Sequence, residues 1–97
     1  MHVAALEIEL HIPQSHSLKE KRAVVKPILE GVRHRFPVAA AEVAFQDKWQ
    51  RCTLGFAAVG SDGDRHANQV LSKVADYVWS FPEVEVLHSE HNEMEWA

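Results

Sequence analysis

The residues with the widest chemical repertoire fall in two short segments. Residues 16–22 supply His16, Ser17, Lys19, Lys21 and Arg22, and residues 46–51 supply Gln46, Asp47, Lys48, Trp49, Gln50 and Arg51. A tryptophan between Lys48 and Arg51 in a polar stretch is a strong recognition signal, because Trp and Arg dominate binding hot spots. The cations suit phosphate or carboxylate, and the indole suits a base or an apolar anchor. Lys19, Arg22, Asp47, Lys48, Trp49, Gln50 and Arg51 therefore form the candidate binding set. The structural alternative is that Trp49 folds back over the core edge with Arg51 stacked on it.

Other chemistries have less support. Nucleophilic catalysis would need Cys52 or a serine beside a base, and the strand reading below turns Cys52 toward the core, where a thiol is inert packing. Among seven histidines, His88 and His91 stand three apart in or just after a strand, so they point to opposite faces and do not converge on a metal. No metal site is assigned, and no cofactor, because phosphate-loop and dinucleotide fingerprints are missing. Acylphosphatases share this size and the fold read below, but residues 13–16 offer no glycine for their phosphate-cradling loop. No catalytic residue is assigned.

The elements that must position these residues follow from periodicity. Residues 2–12 alternate, with His2, Ala4, Leu6, Ile8, Leu10 and Ile12 on one face, which predicts a strand that Pro13 ends. Ser17 and Glu20 form a capping box in which hydroxyl and carboxylate each satisfy a backbone N–H. Val25, Ile28, Leu29, Val32 and Phe36 continue at helical spacing, with Pro27 expected to kink the helix and Pro37 to stop it. Residues 38–45 read as a second strand and residues 51–59 as a third. A turn at 60–63 precedes a helix from Asp64 whose stripe runs from Ala67 to Phe81, and residues 83–90 make a fourth strand. Residues 92–97 carry no clear pattern.

The order β-α-β-β-α-β, with right-handed crossovers, gives an α+β ferredoxin-like sandwich. It is a four-stranded antiparallel sheet in spatial order 4-1-3-2 with two helices on one face. This topology brings the end of strand one, the start of the first helix and the turn between strands two and three to one end of the molecule. The two chemistry-bearing segments meet there. The opposite sheet face would hold Glu7, Glu9 and Glu42 among alanines and glycine, a flat surface able to pair with a copy of itself in a homodimer.

Composition sets the outer bounds. Ninety-seven residues, 46% hydrophobic and 25% charged, describe a single globular domain spanning 1–97. One cysteine excludes an intramolecular disulfide, and neither a signal peptide nor a membrane span is apparent, so a cytoplasmic protein is expected. The net charge of −4 is uneven. Residues 16–22 and 46–51 set five Lys and Arg against Glu20 and Asp47, a local +3 that leaves −7 elsewhere.

The same two segments carry a resemblance. His16-Ser17-Leu18-Lys19-Glu20-Lys21-Arg22, and Gln46-Asp47-Lys48-Trp49-Gln50-Arg51 followed by Cys52-Thr53-Leu54-Gly55, resemble the signature stretches of the bacterial YlxP-like family. The likeness extends to the C-terminal Glu-Met-Glu-Trp. It implies a ferredoxin-like domain of unknown function, with genes often beside those of translation and ribosome maturation factors, and it implies no catalytic residues.

Two readings follow. The first is a non-enzymatic binding protein that meets the ribosome, RNA or a translation-associated protein through the basic end. Stacking on the sheet face is disfavoured, because strands one and three show no aromatics there and Glu7 and Glu9 would repel phosphate. The second is a small-ligand-binding homodimer or minor enzyme using Asp47, Arg51 and His16 around a cleft.

Overall fold

A computed structural model describes residues 1–63 and 65–96. The elements are β1 (His2–His11), α1 (Leu18–Arg35), β2 (Ala39–Ala44), β3 (Arg51–Gly60), α2 (His66–Trp79) and β4 (Glu85–Glu95). The strands form one antiparallel sheet in the order β2-β3-β1-β4, the arrangement that the sequence predicts. Alternation does what it should in β1 and β3. Ala4, Leu6, Ile8 and Leu10, with Cys52, Leu54, Phe56 and Ala58, face the helices and form a single core with Val25, Ile28, Val32, Leu71, Val74 and Val78.

Helix α1 starts at the predicted cap, where the Glu20 N–H donates to Ser17 Oγ at 3.1 Å. The other half of the predicted box is different. Glu20 Oε2 lies 3.5 Å from the Ser17 hydroxyl, so the carboxylate returns to the side chain and not to the backbone. Pro27 does not end the helix, which runs on to Arg35 with Pro27 on its exposed side. There water can take the carbonyl that lacks its donor. Gly31 makes room for a side chain of α2: a Cβ at this position would run into Tyr77 Oη. Tyr77 is itself held edge-on between Phe36 and Phe81, at centroid distances of 6.0 and 5.2 Å.

Three expectations need correction. Helix α2 ends at Trp79, and Phe81 packs on the core from beyond it; the predicted start at Asp64 lies outside the described residues. Strand β4 covers Glu85–Glu95 and not 83–90, because residues 91–95 pair with the first half of β1. Their polarity on both faces hid them, since nearly all of β4 is exposed. Glu42 does not face the open side of the sheet: it stands opposite Leu54, on the helix side. A bulge between Glu42 and Ala44 lets β2 bend there.

Candidate functional site

The turn between β2 and β3 is built around Lys21. This side chain continues the inner stripe of α1, four residues before Val25 and seven before Ile28, and is only 2% exposed. Its ammonium donates to the carbonyls of Phe45 at 2.6 Å and Lys48 at 2.8 Å, and it lies 2.6 Å from Glu42 Oε2. Among the described residues, the buried Oε2 has no hydrogen-bond partner apart from this ion pair. A buried lysine persists only with such compensation. Phe45 takes φ of 62°, an uncommon left-handed conformation for a non-glycine residue, and its carbonyl also accepts the Lys48 N–H at 3.0 Å. The turn is thus tied from beneath by one cation.

Gln50 ties it from the side. Its side-chain Nε2 donates to the carbonyls of Pro13 (3.3 Å) and Ser15 (3.0 Å), and its backbone carbonyl accepts the Ile12 N–H at 2.8 Å. Arg51 bonds Glu9 Oε1 through Nε (3.1 Å) and Nη2 (2.5 Å), and its guanidinium lies 4.4 Å from the centre of the Phe45 ring. It therefore stacks on Phe45 and not on Trp49. Trp49 is 55% exposed. An open depression of about 500 Å³ runs along Phe45 and Asp47 to Arg51.

Five of the seven candidate residues, Asp47, Lys48, Trp49, Gln50 and Arg51, thus share one surface. Arg22 lines a separate groove on α1, with Lys26, Arg33 and Glu42. Lys19 is exposed in the first turn of α1, and neither it nor His16 lines the depression. The acid–base set of Asp47, Arg51 and His16 is consequently not assembled around it. Sequence reasoning overlooked Lys21 as a positioning residue, although its place on the apolar stripe was the available signal.

A second polar cluster occupies the far end of the sheet. The buried ring of His2 contacts Glu95 Oε1 through Nδ1 (2.5 Å), and Glu93 Oε1 (3.1 Å) and Asn68 Oδ1 (3.3 Å) through Nε2. The hydrogen bond to Glu95, then that to Asn68, raises the His2 pKa above its ordinary value. Hydrogen bonding to Asn68 lowers that of Glu93, with His2 adding to the effect. Cys52 is fully buried; desolvation first, and the Glu42 carboxylate second, push its thiol up to about 12. Among the described residues no group of three or more His, Cys, Asp or Glu is placed to hold a metal, and no helix is long and apolar enough to cross a membrane.

Comparison with known proteins adds family and no activity. A family model described as "Protein of unknown function (DUF503)" matches residues 3–91. A protein of Bacillus subtilis (strain 168), named "Uncharacterized protein YlxP", is 44% identical over 79 residues, covering 81% of this chain and 85% of that relative.

Proposed function

The chain belongs to the DUF503 family of proteins of unknown function, and from that premise we propose that it is a non-enzymatic binding protein whose β2–β3 turn contacts single-stranded RNA of the translation machinery. The observation that carries this reading is Trp49, more than half exposed at the crest of a turn fixed by Lys21 and Gln50. An exposed indole normally loses side-chain entropy on binding; a rigid platform lowers that cost. Bases stack on such a surface without regard to sequence, each contributing about 1–3 kcal/mol. Lys48 beside it, with Lys19 and Arg22 on α1, supplies the phosphate contacts. Arg51 contributes less, because Glu9 already neutralises it. The translation-linked association implied by the YlxP-like resemblance favours the same class of partner.

The test is fluorescence anisotropy with a labelled single-stranded RNA, for the native chain and for Trp49→Ala. Binding should weaken by roughly 5- to 150-fold in the variant, matching one stacked base. Three phosphate contacts should give a slope of log affinity against log salt near −2, at roughly −0.7 per phosphate for a single strand. Equal affinity of the two proteins, or no binding at low salt, would refute the reading.

A further inference from the structure

We infer that the open face of the sheet is the interface of a two-fold homodimer, in which β1 of each copy lies over β3 of the other. The register of the strands lays that face out in rows. From one end, the first row is Val59, Val3 and Met94 across β3, β1 and β4, and the second is Ala39, Ala57, Ala5 and Asn92 across all four strands. The third is Ala41, Gly55, Glu7 and Glu90, the fourth includes Thr53, Glu9 and His88, and the last holds Arg51, His11 and Glu85. Val43 leans over Gly55, and Val59, Met94 and Val43 are 62%, 49% and 47% exposed. Large apolar side chains registered side by side on one face are not scattered surface hydrophobics.

A closed pair of identical faces needs a two-fold axis in the plane between them, and the rows decide its direction. An axis across the strands would set the first row on the last, valines and methionine against Arg51, His11 and Glu85. It would also set Glu7 on Glu7 and Glu90 on Glu90. An axis along the strands, between β1 and β3, sets each row on itself in reverse order. Val3 then meets Val59, Ala5 meets Ala57, and Ala39 meets Asn92. Glu90 meets Ala41, where the mate has little bulk, and Glu7 meets Gly55 beside the Val43 that leans over it, so neither carboxylate faces another. The charged end arrives neutralised, because Arg51 already pairs with Glu9, and His11 Nδ1 lies 3.3 Å from Glu85. Sheets stacked this way cross at about −30°, so the match is closest near the axis, where the alanines and Gly55 lie.

The area suffices. Four strands of ten, six, ten and eleven residues, about 4.8 Å apart and about 3.3 Å per residue, present roughly 590 Å² per copy. Two copies then bury roughly 1,200 Å², the lower bound of a specific stable interface. The interface reaches the β2–β3 turn at Arg51 but does not include Trp49, and the inference does not depend on the RNA reading.

The experiment is sedimentation equilibrium on the full chain over a wide concentration range. The native protein should reach twice its monomer mass of 11.0 kDa. Ala57→Arg, at an exposed position facing Ala5 of the mate, should weaken association at least tenfold while circular dichroism stays native. Val59→Lys should do the same by an independent route. Glu7→Gln should tighten association by about tenfold, since it removes a carboxylate that leaves water. Trp49→Ala should leave the mass unchanged, which separates this result from the RNA test. A monomer at every concentration would overturn the inference. So would a dimer that survives both Ala57→Arg and Val59→Lys, or one abolished by Ser89→Pro at the β4 edge and untouched by Ala57→Arg.

Discussion

Replacing Lys21 by methionine tests whether one buried cation organises the turn that presents Trp49. Methionine keeps the length and the packing of the stem and removes the ammonium. The loss leaves three acceptors exposed to the consequence: the carbonyls of Phe45 and Lys48, and the carboxylate of Glu42. Breaking a buried pair from one side costs about 3–5 kcal/mol. The Glu42 side chain is 23% exposed and can recover some water, which places the expected loss near the lower end, about 3 kcal/mol. In a domain of this size that corresponds to a fall in Tm of roughly 12–24 °C. Urea unfolding followed by circular dichroism measures the loss. Amide exchange at Lys48, whose N–H donates to the Phe45 carbonyl, reports on the turn itself. A double-mutant cycle with Glu42→Gln should show coupling of at least about 0.5 kcal/mol between the two positions. A loss below about 1 kcal/mol, within the range of ordinary surface substitutions and small cavities, would refute the argument, as would strictly additive variants.

Gly31→Ala should destabilise the protein by about 1–3 kcal/mol despite alanine's better helix propensity, because the new Cβ overpacks against Tyr77; adding Tyr77→Phe should recover part of the loss, and a stabilised single variant would contradict the close approach. His2 should titrate above its ordinary 6.5 in proton NMR, and Glu95→Gln should move it back down. Because the folded value is the higher one, this contribution to stability is complete below pH 6.5 and is lost as pH rises through the folded value; a His2 titration at or below 6.5 would refute the clamp. Cys52 should resist thiol reagents at neutral pH until the chain unfolds. Its raised value, about 12 against an ordinary 9.0, makes its contribution level below pH 9 and declining between 9 and 12; rapid labelling of the native protein would show that the thiol is not buried.

Much of the architecture is written in local periodicity. The alternation of β1 and β3, the stripe of α2 and the Ser17 cap each rest on neighbours in sequence, and right-handed crossovers leave few ways to assemble them. That is why the strand order and the meeting of the two polar segments could be read directly. Strand β4 resisted at its second half for the converse reason: its backbone pairs with β1, but its side chains are exposed on both sides, so no hydrophobic rhythm marks it.

The sequence by itself determined which residues of β1 and β3 share a face and which segments share an end, because both follow from chain geometry, whereas the face of Glu42 in bulged β2 did not. Only the tertiary structure decided who satisfies whom. Lys19, Lys21, Lys48 and Arg51 are equivalent as cations in a charge count, yet Lys21 is enclosed by three oxygens, Arg51 is bound to Glu9 across the sheet, and Lys19 and Lys48 stay in water. Desolvation separates them, and desolvation depends on what the rest of the chain packs around each charge.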